Sequence, residues 1–219
     1  MSKNLRAVPN QEAYDPVNQP AMLLLCRAVR RIDALQERLA MNDSMLSALR
    51  AAGPSAELTN DDRLYDPLIG SWNVRAVDYL DDGSRRVNTG EWHFAYVLEG
   101  RAVQDVWISP PRSDRHADMP KECNRYGTTL RFFHPARKRW ELTWTNPVSG
   151  ARNVLVARRD GNDIVQEGRA DDGDWMRWVF TEISKNSARW YGETSIDGGK
   201  TWKLGAEFSL TRQGNGPEV

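Results

Sequence analysis

The sequence predicts a mainly β protein, a closed antiparallel meander barrel of about ten strands preceded by an N-terminal helical segment. Three observations carry this. All nine Trp lie after residue 71, which divides the 219-residue chain by composition. From Leu68 onward, short runs rich in β-branched and aromatic residues alternate with turn-forming clusters. No helical pattern separates these runs, and ten consecutive strands leave costly open edges unless the sheet closes on itself.

Taken in order, residues 1–20 are polar, carry Pro9, Pro16 and Pro20, and read as a disordered tail. Residues 21–53 read as helix: the stretch 21–52 holds neither Pro nor Gly, and Gly53-Pro54 is a strong stop. Leu25, Ala28, Ile32, Leu35, Leu39, Asn42, Leu46 and Leu49 alternate by three and four residues. That is the seam of a coiled coil, with Asn42 as a register-fixing polar interruption. It predicts a homo-oligomer joined through residues 25–49. Two alternatives stay open. Met22, Val29 and Met45 widen the stripe toward packing on the chain's own barrel, and Asn42-Asp43-Ser44 suits the cap of a second, shorter helix.

The barrel is expected over residues 64–212, with 213–219 as a second disordered tail. Strands are expected near 71–80, 86–98, 101–109, 126–134, 139–145, 151–159, 162–169, 175–183, 187–195 and 201–211. Asp81-Asp82-Gly83-Ser84, Glu99-Gly100, His134-Pro135, Asp160-Gly161-Asn162, Asp171-Asp172-Gly173 and Asp197-Gly198-Gly199 punctuate them.

Composition narrows the function classes. Thirty Lys+Arg balance thirty Asp+Glu, so no general affinity for nucleic acid or anionic lipid is expected. No apolar run nears the roughly 20 residues of a membrane span, and the polar start lacks the apolar stretch of a signal peptide. Cys26 and Cys123 form no disulfide framework or metal knuckle. A cytoplasmic protein with no membrane and no nucleic-acid partner is expected.

The Glu99-Gly100 turn fixes facing. Read as a two-residue loop, it pairs Tyr96 with Val103, Phe94 with Asp105 and Trp92 with Trp107. One face then carries Trp92, Phe94, Tyr96, Leu98, Arg101, Val103, Asp105 and Trp107; the other carries Glu91, His93, Ala95, Val97, Ala102, Gln104, Val106 and Ile108. The aromatic face is expected inside, walling a cavity. Asp105 on that face is expected to have a raised pKa and to meet a cation, either Arg101 or Arg131. The pair braces the barrel wall or serves a ligand.

Gly70-Ser71-Trp72 at the first strand resembles the G-x-W signature of the calycins, the lipocalins and fatty-acid-binding proteins. Residues 90–110, 126–135 and 195–202 are similar to a bacterial lipocalin-like family. The resemblance covers residues 64–212 and implies a calycin-like barrel whose basal Trp72 is covered by Arg212 from the last strand. It is silent on chemistry, since such barrels serve as carriers, sensors and enzymes. Haem-binding ten-stranded relatives use a His late in the chain; here none follows His134.

Other signals are weaker. Glu91-x-His93 lacks the second ligand pair of a cupin metal hairpin, so neither metal nor cofactor is expected. Residues 195–202 match the Asp-box pattern of propellers, but only once, and read as a self-bonded turn with Trp202 beneath. No G-x-S-x-G, phosphate-binding loop or dinucleotide fingerprint follows a strand. The expected function is binding of a small apolar or aromatic molecule among Trp72, Trp92, Phe94, Tyr96, Trp107 and Trp144. The alternative is a cofactor-independent lyase, isomerase or cyclase. There Asp105 is acid or base, Arg131 stabilises negative charge, and Tyr96 or His93 orients the substrate. A coiled-coil interaction protein is a weaker third reading.

Overall fold

A computed structural model describes residues 31, 43–120, 124–170 and 172–214 of the chain. Ten antiparallel strands follow one another in sequence: β1 (Gly70–Tyr79), β2 (Arg85–Val97), β3 (Ala102–Ser109), β4 (Arg125–His134), β5 (Arg139–Asn146), β6 (Ala151–Asp160), β7 (Asp163–Arg169), β8 (Trp175–Thr181), β9 (Ser187–Ser195) and β10 (Lys203–Arg212). Each pairs with the next, and β10 returns to pair with β1, closing the barrel. Closure leaves no strand edge unpaired. No described helix is long and apolar enough to cross a membrane.

The β2–β3 turn sets the expected register, with Trp92 opposite Trp107, Phe94 opposite Asp105 and Tyr96 opposite Val103. Those six side chains are all buried. Leu98 and Arg101 belong to the turn instead: Leu98 has φ +53° and is exposed, and Arg101 pairs with Glu57 and Glu99 in solvent. Gly100 is required on two counts. Its φ is +80°, and an added Cβ would run into the backbone of residues 53–55.

That collision marks a strap, residues 51–69, drawn across one end of the barrel. Ser55 N–H donates to Gly100 O at 3.0 Å, and Ala51 N–H donates to Tyr96 O at 3.1 Å. Leu58, Leu64, Tyr65 and Leu68 are buried within the end. The Tyr65 ring stands edge-on to Trp140, 5.1 Å between centroids, and the Trp140 indole N–H donates to Asp62 O at 2.7 Å. Trp72 is fully buried and donates to Leu68 O at 2.8 Å. Over it, at 4.0 Å, lies the Arg212 guanidinium, which also donates to Ile69 O (2.7 Å), Pro67 O (2.8 Å) and Lys185 O (2.6 Å). The last strand is thereby bolted to the strap.

The helical expectation needs a correction at its end. Most of 21–53, including the seam residues from Leu25 to Asn42, lies outside the described residues. Within them the helix covers 43–49 and stops before Gly53. Arg50 instead bridges Val97, and Leu98 N–H donates to Leu49 O at 3.0 Å. Pairing with the β2 end outcompetes helix continuation there.

At the opposite end, the 195–202 turn is self-bonded as expected. Asp197 accepts from Lys200 N–H (3.0 Å), Thr201 N–H (2.9 Å) and Ser195 Oγ (2.8 Å). Trp202 donates to Gly199 O at 3.1 Å.

Candidate functional site

Toward the end away from the strap, the barrel interior opens into a cavity of about 230 Å³. Its walls are indoles: Trp92, Trp107, Trp144, Trp178 and Trp190, with Phe208 between them. Phe208 stacks on Trp107 at 5.0 Å and lies 4.4 Å from Trp190. Trp92 touches Phe94, Trp107, Phe180, Trp190 and Phe208 at centroid distances of 5.0–6.1 Å, which makes it the hub of the ring cluster. Two glycines make room for the wall. A Cβ on Gly127 would overlap the Trp144 ring, and one on Gly90 would stand 2.6 Å from the Trp107 ring. The absent side chains let those indoles lie flat across the neighbouring backbone.

Beneath the rings lies a buried polar group. Asp105 and Arg131 form an ion pair at 2.5 Å, with side-chain exposures of 0% and 1%. The other Asp105 oxygen accepts from Thr129 N–H at 3.1 Å. The guanidinium is held between the rings of Tyr65 (4.9 Å) and Phe94 (5.5 Å). Burial, first among several causes, pushes the Tyr65 phenol well above its ordinary value, so it stays a neutral donor. It donates to Gln166 Oε1 at 3.1 Å, an oxygen that Arg131 Nε also approaches at 3.5 Å. The Gln166 amide nitrogen and the Trp92 indole nitrogen are buried with no hydrogen-bond partner. At the rim, Arg125 pairs with Asp78 at 2.7 Å.

The structure sorts the expected site residues by depth. Trp92, Trp107 and Trp144 line the cavity, as does Arg131. Asp105 stands behind Arg131, off the lining. Trp72, Phe94 and Tyr96 share the inner face but sit at the strapped end, within the core. Tyr96 donates to Asp66 of the strap, and burial together with that carboxylate drives its phenol upward. His93 faces outward between Trp92 and Phe94. Residues not anticipated are Gln166, Trp178, Trp190 and Phe208, together with Asp78 and Arg125 at the rim. Alternation in β7 (Ile164, Gln166, Gly168) was the available signal for Gln166.

No protein-family model matches the chain, and no curated protein matches it in sequence. Among solved structures it is similar to Rv2717c from M. tuberculosis, at 17% identity and a TM-score of 0.50, covering 71% of this chain and 99% of that one. The S-type phycobiliprotein lyase CPES from Guillardia theta matches at 10% identity, a TM-score of 0.48, 71% of this chain and 93% of its own. A redesigned β barrel, mFAP1, bound to DFHBI, matches at 17% identity, a TM-score of 0.35, 68% of this chain and 99% of its own. The Rv2717c likeness shows a shared fold and nothing of chemistry.

The outer-face cluster around His93 has a structural task. His93 Nδ1 lies 2.9 Å from Ser71 Oγ and its Nε2 lies 2.9 Å from Glu91 Oε2. Glu91 also accepts from Arg112 N–H (2.7 Å), Nε (2.8 Å) and Nη2 (3.0 Å), pinning the segment after β3 to the wall. Those Arg112 bonds, chiefly, hold the Glu91 carboxyl down at about 2, against an ordinary 4.5. A depressed carboxylate adds stability that is complete above the ordinary value and is lost as pH falls toward 2. Glu91→Gln is therefore expected to be less stable than wild type at pH 6, with the difference shrinking below pH 4.5 and gone near pH 2. Urea unfolding across that range checks it; a difference unchanged from pH 6 to pH 2 would contradict it.

Proposed function

We propose that the protein binds a small hydrophobic or aromatic molecule in the tryptophan-walled cavity. The observation that carries this is an unfilled space of about 230 Å³ bounded by five indoles and a phenyl ring. A concave space lined mostly by aromatic rings with a few convergent polar groups is the usual form of a small-molecule site. Drug-sized ligands occupy roughly 300–1,000 Å³, so the space suits a molecule of one or two rings. The test is titration of the full chain with naphthalene, followed by tryptophan emission and thermal shift. Emission is expected to change and the midpoint to rise with concentration. Trp107→Ala is expected to lose the emission response. Ala206→Phe, which fills the cavity from β10, is expected to abolish binding without lowering the melting temperature of the free protein. Absence of any response in wild type sinks the reading.

Binding is favoured over a lyase, isomerase or cyclase reaction by three placements. Asp105 is committed to Arg131 and Thr129, Tyr96 is tied to Asp66, and His93 lies on the outer face. We also assign the barrel to the lipocalin- and fatty-acid-binding-protein-like calycins, supported by the Arg212 guanidinium 4.0 Å over Trp72. Self-association through residues 25–49 is a further proposal, resting on the heptad spacing. Full-length protein is expected to elute as an oligomer and Leu35→Asp/Leu39→Asp as a monomer; identical elution removes the seam as an interface.

A further inference from the structure

We infer that the ligand of this cavity is an uncharged aromatic molecule bearing a carbonyl-type oxygen, which accepts from the Trp92 indole N–H and the Gln166 carboxamide. The inference rests on the cavity reading above and adds the polar group that the walls select.

Two features of the lining lead there. The first is charge. The ionic groups at the cavity form two closed pairs, Asp105 with Arg131 at 2.5 Å and Asp78 with Arg125 at 2.7 Å. A carboxylate ligand would have to share Arg131 with Asp105, bringing two anions to one buried cation. A cationic ligand would meet an aspartate already neutralised. Burying a net charge under those terms is strongly unfavourable, whereas a neutral ligand leaves both pairs intact.

The second feature is an imbalance of hydrogen-bonding groups. Gln166 is fully buried, and its oxygen is occupied by the Tyr65 hydroxyl at 3.1 Å, which fixes the amide so that its nitrogen is the unsatisfied end. Trp92 is 5% exposed, and its indole nitrogen is likewise without a partner. Both residues line the cavity. Buried donors are nearly always satisfied in folded proteins, and leaving one unmet is costly. Both groups give hydrogens and neither can receive one. The complementary partner is thus an acceptor, and an oxygen on a flat ring system places it while the ring stacks on the indoles.

Three matched probes test this by calorimetry on the full chain: indane, 1-indanone and indane-1-carboxylate, which share a skeleton and differ in the polar group. The ketone is expected to bind about tenfold more tightly than either of the others, the scale of one or two hydrogen bonds. Two variants remove the donors. Tyr65→Phe/Gln166→Met deletes the amide and its buried partner together, and Trp92→Phe deletes the indole N–H. Each is expected to reduce the ratio of ketone to indane affinity, and circular dichroism of each variant reports the fold independently of binding. Equal affinity for indane and 1-indanone, or an advantage that survives both variants, overturns the inference and leaves the cavity reading standing. Tightest binding by the carboxylate overturns it as well, since Arg131 would then be the reader. If none of the three binds, the cavity reading itself fails and takes the inference with it.

Discussion

Asp105→Ala is expected to cost about 3–5 kcal/mol of stability, the scale of removing one partner from a buried ion pair. The Arg131 guanidinium, 1% exposed and 2.5 Å from the carboxylate, would be left charged in an aromatic cage with no counter-ion. Its remaining contacts, the Tyr65 and Phe94 rings and a 3.5 Å approach to Gln166, offset only part of that. Against a total of roughly 5–15 kcal/mol for a domain, the loss is severe. Asp105→Leu/Arg131→Met, which removes both charges, is expected to recover most of it. Urea denaturation of the single and double variants measures both effects. A single variant within 1 kcal/mol of wild type, at the level of an exposed pair, would contradict the buried-pair account.

Trp92→Ala is expected to cost about 3–5 kcal/mol as well, by a different route. Trp92 contacts five other rings, so its removal takes out the packing shared by β2, β3, β8, β9 and β10 at once. The vacated volume would merge with the existing cavity rather than collapse, because the Trp107, Phe208 and Trp190 rings are already braced against one another. The variant is therefore expected to melt well below wild type and yet to bind a larger aromatic molecule, anthracene, more tightly than wild type does. Melting curves with and without anthracene check both halves; a variant as stable as wild type would show that the hub carries no load.

What the sequence made legible follows from the physics of strands. Turn chemistry at Glu99-Gly100 and a period of two put Trp92, Phe94, Asp105 and Trp107 on one inner face, and the register bears that out. The same alternation assigned His93 to the outer face, where it lies. Alternation fixes a face but not a depth along the barrel axis. Phe94 and Tyr96 share Trp92's face, yet a few ångströms nearer the strap they are core, while Trp92 borders open space. Gln166, Trp178, Trp190 and Phe208 come from β7 to β10, where alternation separates two faces but the choice of which one looks inward is made only when β10 closes on β1. Of the two cations considered for Asp105, Arg131 stands opposite Val103 on β4, two residues from Thr129, the residue opposite Asp105, and so shares the inner face with it, whereas Arg101 is held at the exposed turn by Glu57 and Glu99.

The strap has a kinetic corollary. With Tyr65, Leu68 and Trp72 stoppering one end of the tube, the cavity is a blind alley on that side, and Asp78 and Arg125 stand at the far end of its lining. If the cavity takes a guest, as proposed, the stopper denies it passage through the tube, and both arrival and departure are by the side away from residues 51–69.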